Sequence, residues 1–334
     1  MKILVVGAGS IGRRHLGNLK NLGEKDLLVM DPSQERRDKA VQDFDAQGFA
    51  SLEQALAQKP GAVLVCSPNS LHVTQAMESI RAGCHTFVEK PLSHNSDGVD
   101  SLVREAEERS LVTMVGSNFK FHPLFLKMKE ILESGVLGRI TSARCQFGQY
   151  LPDWHPYEDF RQGYSARQDL GGGVLLDSHE LAYMIWFLGD VDQVFCFSGK
   201  LSSLEIQTED TAAVLLRFAS GTIGEVHLDY TQRVYQRNYE FFGEQGTMTW
   251  DYSQGKVRLY LASEKSWTEF EQPGDYDINQ MYVAEIDHFR FCAKTGKKTI
   301  TDFMAGQNIL EVILAAKTSS REGRIIKPQE GTHP

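Results

Sequence analysis

The segment Glu89-Lys90-Pro91 places a lysine just past the expected strand His85-Thr86-Phe87-Val88. An ammonium at a strand end can donate to a substrate hydroxyl and stabilise the alkoxide that develops there. Pro91 fixes the backbone beside it. A second candidate is His179, which ends the segment Gly171-Gly172-Gly173-Val174-Leu175-Leu176-Asp177-Ser178-His179 at the opening of a helical pattern. Its imidazole titrates near neutral pH, so it can accept a hydroxyl proton as a hydride leaves. Asp177 can orient that imidazole or share the proton relay. The plainer alternatives are a surface lysine and a histidine that caps or packs a helix start. Asp177 and His179 also read as a metal pair, but no third ligand stands at useful spacing, so no metal is expected.

A departing hydride needs an acceptor, and the N-terminus supplies its site. The run Lys2-Ile3-Leu4-Val5-Val6 feeds Gly7-Ala8-Gly9-Ser10-Ile11-Gly12, and apolar residues then recur at helical spacing to Leu22. Gly7 permits the tight turn, Gly9 lets a pyrophosphate approach the backbone, and Gly12 lets helix and strand pack closely. The N–H groups from Ser10 and Ile11 onward open the helix and attract phosphate. The next strand, Asp26 to Met30, ends at Asp31, 19 residues beyond Gly12. A carboxylate there accepts the ribose hydroxyls and repels a 2′-phosphate, which favours NAD over NADP. Arg36 and Arg37 weigh the other way, unless they sit on a solvated helix face.

These groups need elements to carry them. Strand and helix patterns alternate through the first part: helices over 33–45, 51–58, 70–82 and 95–109, strands over 62–66, 85–88 and 111–115. That alternation predicts a doubly wound parallel sheet ending near residue 120. Ligands in such sheets bind at the carboxyl ends of strands. Ser67, Pro68 and Asn69 follow one strand, and Glu89 and Lys90 follow the next, so all five are cofactor-contact candidates. His72 either faces the nicotinamide or makes structural hydrogen bonds. The rest predicts an α+β domain with a largely antiparallel sheet. Its expected helices are 124–133, 175–188, 278–296 and 302–318. Its expected strands are 139–150, 191–199, 211–219, 222–231, 234–243, 246–251 and 256–262, with Arg324 to Ile326 as a last one. The domains are thus 1–120 and 121–334.

The chain has 334 residues, a net charge of −9 and 41% hydrophobic content. Such a charge argues against non-specific binding to nucleic acid or an anionic membrane surface. No apolar run approaches a membrane span. The five scattered cysteines form no CxxC and read as reduced thiols in a cytoplasm.

Taken together, the glycine motif, Glu89-Lys90-Pro91, the segment Gly116 to Pro123, the triple glycine and the tail Ala315 to Ile326 resemble the Gfo/Idh/MocA family of oxidoreductases. The resemblance implies an N-terminal Rossmann domain and a C-terminal α+β domain with a large, mostly antiparallel sheet. It also implies oxidation or reduction of a carbon–oxygen bond of a sugar, polyol or similar molecule with NAD or NADP. The family pattern sets an aspartate four residues before the histidine; here Asp177 stands two before His179, while His179 keeps its spacing to Trp186. Lys120 occupies a position where the family often has arginine, and either could meet substrate oxygens.

The irregular segment 150–164 supplies further substrate candidates in Trp154, His155, Arg161 and Tyr164, because aromatic faces stack on sugar rings and Arg or His satisfy hydroxyl or anionic groups. A packed surface loop or subunit contact is the alternative. The sequence therefore predicts an NAD-dependent dehydrogenase of a sugar, polyol or nucleotide-sugar. Its rivals are an NAD-retaining glycosidase or epimerase of the same fold and a non-catalytic NAD(H) sensor. Apolar residues on both alternations of strands 191–251 predict a homodimer or homotetramer through that sheet, with the helices at 175–188 and 278–296 covering its other face.

Overall fold

The computed structural model describes residues 1–154, 159–177 and 179–328. The chain groups into two units, Met1–Asn118 with Asp277–Leu310, and Phe119–Tyr276 with Glu311–Pro334.

In the first unit, apolar tetrapeptides make the strands β1 (Ile3–Val6), β2 (Leu27–Met30) and β4 (Ala62–Val65); β5 (His85–Val88) is half polar, and β3 (Gln47–Phe49) and β6 (Thr113–Val115) are shorter. All pairs are parallel, in the order β3-β2-β1-β4-β5-β6. Every residue of β1, β2 and β4 is buried, as a sheet covered on both faces requires. The strand order reverses between β1 and β4, which opens the crevice where such sheets bind ligands. The covering helices are α1 (Ser10–Asn21), α2 (Gln34–Phe44), α3 (Leu52–Leu56), α4 (His72–Arg81) and α5 (Val99–Glu108). Ser33 and Ser51 cap α2 and α3 through their hydroxyls. Helix α5 starts four residues later than the pattern predicts. Asn95 Oδ1 accepts the Asp97 N–H there, and Gly98 adopts the left-handed conformation with φ of 72°.

The second unit opens with α6 (Pro123–Ser134), where Pro123 is at the start and His122 Nδ1 accepts the Leu124 N–H. Then come β7 (Ile140–Gly148), the single turn α7 (Val174–Asp177), α8 (Glu180–Leu188), β8 (Val191–Gly199), β9 (Thr211–Phe218), β10 (Ile223–Asp229), β11 (Gln236–Gly243), β12 (Gly246–Asp251), β13 (Lys256–Leu261) and β14 (Ser266–Glu271). The sheet order is β14-β13-β12-β11-β7-β10-β9-β8. Only β7 and β10 pair in parallel among these neighbours. β14 escapes the sequence pattern because it is an edge strand with almost no buried residue, so it lacks apolar alternation. The predicted helix 175–188 is split at His179, and the predicted last strand reduces to one bridge between Ile326 and Val194.

Along β9 burial alternates strictly: Ala212, Val214, Leu216 and Phe218 are buried, and Ala213, Leu215 and Arg217 are exposed. Helices α6 and α8 pack on this sheet. The chain then returns to the first unit with α9 (Asn279–Thr295) and the first turns of α10 (Phe303–Glu322), whose remainder belongs to the second. Residues 277–310 thus depart from the 121–334 division. Helix α9, expected as a cover for the antiparallel sheet, packs instead on α1. Its buried Arg290 needs a buried acid and finds Glu24 at 2.6 Å, while Asn279 donates to Asn18 at 2.8 Å.

Candidate active site

At the end of β1, Gly7 has φ of +95°, and a Cβ built there would stand 2.7 Å from the Cys66 carbonyl oxygen. A Cβ at Gly12 would collide with the Gly7 carbonyl oxygen. These two glycines are therefore demanded by packing of α1 against the ends of β1 and β4. Gly9 is different. A Cβ there would meet nothing within 4 Å, and Gly9 caps α1 with no side-chain hydrogen bond. An open backbone face beside an uncapped helix N-terminus suits a pyrophosphate. Ser10 and Ile11 form the first turn of that helix. The residues present thus fit a dinucleotide.

Asp31 lies at the end of β2 and is buried. Its Oδ2 accepts the Ala8 N–H at 2.8 Å, and its Oδ1 accepts the Ser33 N–H at 2.8 Å. Arg36 Nε reaches both oxygens at 3.1–3.2 Å. The sequence presents these two residues separately; the structure pairs them, one helical turn of α2 folding Arg36 back over the strand end.

The loops after β4 and β5 are tied to each other. Ser67 Oγ donates to Gln75 at 2.6 Å. His72 is fully buried, its ring nitrogens 2.8 Å from the Pro91 carbonyl oxygen and 2.9 Å from that of Ser67. Burial holds the imidazole's pKa below its ordinary value, against the pull of those two carbonyls. Of its two predicted roles, His72 makes the structural bonds. Pro68 precedes the single turn that carries the buried Asn69.

Glu89 receives the His15 ring at 2.6 Å and the Lys90 N–H at 3.3 Å. Burial pushes the Glu89 carboxyl up, but His15 and the Lys90 charge outweigh it and leave the pKa lowered. Lys90, half-buried, therefore follows a carboxylate that is itself anchored to α1. His15 was missed from sequence. Its signal is a histidine on the buried stripe Gly12, His15, Leu16, Leu19 of α1, where an apolar residue is the usual occupant.

In the second unit Asp177 is buried and collects three hydroxyls. Tyr164 donates at 2.5 Å, Ser165 at 2.7 Å and Tyr230 at 3.0 Å. His179 is half-buried at the start of α8, with Nδ1 3.2 Å from the Tyr183 hydroxyl and the two rings stacked. Tyr183 stands four residues after His179, the spacing that places two side chains on one helix face, so this partner was legible and missed. Beside them Glu180 and Arg237 form a buried ion pair at 2.7 Å, and the Arg237 guanidinium lies 4.3 Å from the Phe119 ring centroid.

Lys120 is buried, its ammonium 5.7 Å from the centre of the Trp186 ring. Trp154 packs edge-on against Tyr230, and its buried indole N–H has no partner among the described residues. Arg161 is committed to Asp159 and Glu205, both at 2.8 Å, on a polar cleft of about 840 Å³ that Arg167 and Asp169 also line. Tyr164 is held by Asp177. His155 lies outside the described residues. Among the described residues no group of three or more His, Cys, Asp or Glu is placed to hold a metal ion, and no helix is long and apolar enough to cross a membrane.

Residues 1–117 match the oxidoreductase family described as NAD-binding Rossmann fold, and residues 125–249 match the GFO/IDH/MocA C-terminal domain. The chain is 28% identical to the myo-inositol 2-dehydrogenase of Thermotoga maritima, over 99% of both chains. It is 23% identical to the scyllo-inositol 2-dehydrogenase (NAD(+)) of Bacillus subtilis, over 97% of this chain and 95% of that one. The crystal structure of GenD2 from gentamicin A biosynthesis, in complex with NAD, superposes with a TM-score of 0.84 at 26% identity, over 98% of this chain and 96% of that one.

Proposed function

The chain belongs to the Gfo/Idh/MocA family of NAD-binding oxidoreductases, and from that premise we propose that it is a dehydrogenase of a sugar or polyol hydroxyl. The observation that carries this reading is the end-to-end similarity to a myo-inositol 2-dehydrogenase, with a lysine following the carboxyl end of β5 in the sheet that carries the dinucleotide turn. NAD, when bound, supplies the hydride acceptor.

The chain's own residues do the rest. Gly9 and the start of α1 receive the pyrophosphate, and Asp31 accepts the adenosine ribose. Ser67, Pro68 and Asn69 line the same crevice. Lys90 donates to the substrate oxygen and lowers the cost of its negative charge. His179, whose Nδ1 lies 3.2 Å from the Tyr183 hydroxyl, accepts the hydroxyl proton. Asp177 is a positioning residue: its three hydroxyl bonds tie residues 164–165 and the end of β10 to the turn that precedes His179. Lys120, Trp154, Arg161 and Tyr164 remain candidates for substrate contact.

Purified protein, NAD and a panel of inositols, aldoses and nucleotide-sugars, read at the NADH absorbance band, test the proposal. Steady NADH accumulation with at least one member supports it. Binding of NAD with no oxidation of any member sinks it in favour of a sensor. Conversion of a substrate without net NADH points to the glycosidase or epimerase reading.

The second unit also offers a surface for a second copy. Phe197, Leu215 and Ile223 are exposed on the strands β8, β9 and β10, while their neighbours Val194, Cys196, Val214 and Val226 are buried. A two-fold pairing of that face closes a homodimer, and a further pairing closes a tetramer. Light scattering that returns a mass near 37.5 kDa overturns it.

A further inference from the structure

We infer that His15 is a positioning residue for Lys90: through one hydrogen bond to Glu89 it ties the lysine's loop to the helix whose N-terminus suits the pyrophosphate, so that cofactor and ammonium share one mount. The inference rests on the reading of Lys90 as the donor to the substrate oxygen.

His15 stands three residues after Gly12 on the buried stripe of α1 and is itself fully buried. Phe87 of β5 packs edge-on against it with ring centroids 5.5 Å apart, and Tyr282 of α9 does so at 6.4 Å. An apolar side chain would fill that slot at no polar cost. The imidazole instead points Nε2 at Glu89 Oε1, 2.6 Å away, while Nδ1 has no partner among the described residues. A buried ring nitrogen left unsatisfied costs stability, so the ring is placed for the nitrogen that meets Glu89. With its pKa lowered, Glu89 is a carboxylate and only accepts, so the proton of this bond belongs to His15 Nε2.

Glu89 is walled in beside it. Its Oε2 accepts the Lys90 N–H at 3.3 Å, and a Cβ at Gly116 would stand 3.0 Å from that oxygen and 3.2 Å from the Phe87 ring. Gly116 is pinned in turn, its N–H donating to the Val88 carbonyl oxygen at 2.8 Å. The carboxylate thus lies in a slot between α1, β5 and the residue after β6, with 14% of its side chain exposed. On the other side of Lys90, the Pro91 carbonyl oxygen is 2.8 Å from His72 Nδ1. The lysine backbone is therefore held before and after by a buried imidazole, through a carboxylate at Glu89 and directly at Pro91. The His15 arm is the one that reaches the helix of the dinucleotide turn. A group that must meet a reacting atom within about 0.5 Å needs such supports.

Wild type, His15→Leu, His15→Gln and Lys90→Ala are compared by NADH formation with the panel member that the wild type oxidises fastest and by calorimetric NAD titration. Acetic anhydride labelling of Lys90 without NAD, read by mass spectrometry, is compared in the first three. Leucine fills the slot and removes the donor; glutamine sets an amide N–H near the place of Nε2. His15→Leu is expected to lower kcat roughly 10–100-fold, the scale of a displacement of about 1 Å, with NAD affinity within a few-fold of wild type and Lys90 labelled severalfold faster. His15→Gln is expected to recover most of the loss. His15→Asn, whose amide stops short of Glu89, replaces His15→Leu if that variant does not fold. A kcat within about twofold of wild type in the variant without the donor overturns the inference, as does a His15→Gln no faster than that variant. A wild-type labelling rate at Lys90 overturns it too, because His15 then acts on something else. If Lys90→Ala keeps wild-type turnover, or the wild type oxidises no member of the panel, the reading of Lys90 fails and His15 falls with it. If Lys90→Ala loses turnover and His15→Leu keeps it, only the inference about His15 is lost.

Discussion

Asp31 and Asp177 are both buried carboxylates at the end of a regular element, one in each unit, and they are satisfied in different ways. Two backbone N–H groups hold Asp31, from residues 8 and 33, and a solvent-exposed arginine covers its remaining edge. Among the described residues, three side-chain hydroxyls reach Asp177, from residues 164, 165 and 230. Backbone donors come with the fold, whatever the side chains are. Hydroxyl donors come only if distant side chains arrive together. The first unit thus builds its site from chain path and glycine, and leaves a reachable acceptor. The second builds its site from tertiary hydrogen bonds and uses the acceptor to hold loops.

The sharpest test of that contrast concerns the two groups proposed to react. Lys90→Ala and His179→Ala are each expected to lower turnover by roughly 10²–10⁴-fold, with NAD affinity within a few-fold of wild type. Near-normal turnover in His179→Ala would leave the second unit without its proton acceptor, and the functional half of the contrast would fail.

Next in size is the buried pair behind His179. Arg237→Ala strands the Glu180 carboxylate in the core, and the loss is expected at about 3–5 kcal/mol, read as a drop in the urea midpoint. A midpoint equal to wild type would show that the tertiary polar ties of this unit carry no stability.

The two carboxylates can then be set against each other directly. Asp177→Ala is expected to cost on the order of 1–3 kcal/mol of stability, because buried hydroxyls lose their acceptor. Asp31→Ala should weaken NAD binding and move the midpoint less. If Asp177→Ala keeps its midpoint and loses turnover, Asp177 belongs with the reacting groups and the two carboxylates are not opposites.

The smallest effect is a pH dependence. Burial, followed by the charge of Arg237, lowers the His122 pKa to about 4, against the pull of a Gln272 hydrogen bond. The unfolded chain binds that proton near pH 6.5 and the folded chain does not. Stability from the neutral ring is therefore complete above pH 6.5 and lost as the pH falls toward 4. His122→Asn keeps a cap for α6 and removes the titration, so its stability should fall less steeply across that window. An unchanged slope would move the acid sensitivity elsewhere.

Much of the first unit was legible because its demands are local. Gly7 and Gly12 answer steric needs set within a few residues and by one neighbouring strand, Gly9 leaves the face beside them open, and Asp31 follows from the length of one strand–helix–strand step. The place of α9 was not legible. Its amphipathic pattern says that one face is buried but not against what, and the choice was made by Arg290 meeting Glu24 from the far end of the chain. Strand β14 was invisible because an exposed edge strand leaves no alternation. The interruption of the helix at His179 was hidden as well, since the apolar spacing runs through it.

The sequence by itself determined the parallel sheet, the dinucleotide turn, the antiparallel second sheet and the chemical types available for the reaction, because periodicity and glycine geometry are short-range properties. Only the tertiary structure decided which partner each polar group received. It gave Arg36 to Asp31, His15 to Glu89 and, among the described residues, three hydroxyls to Asp177. A buried donor or acceptor must be satisfied, but by whom depends on which segments folding brings within 3 Å, and no spacing along the chain records that.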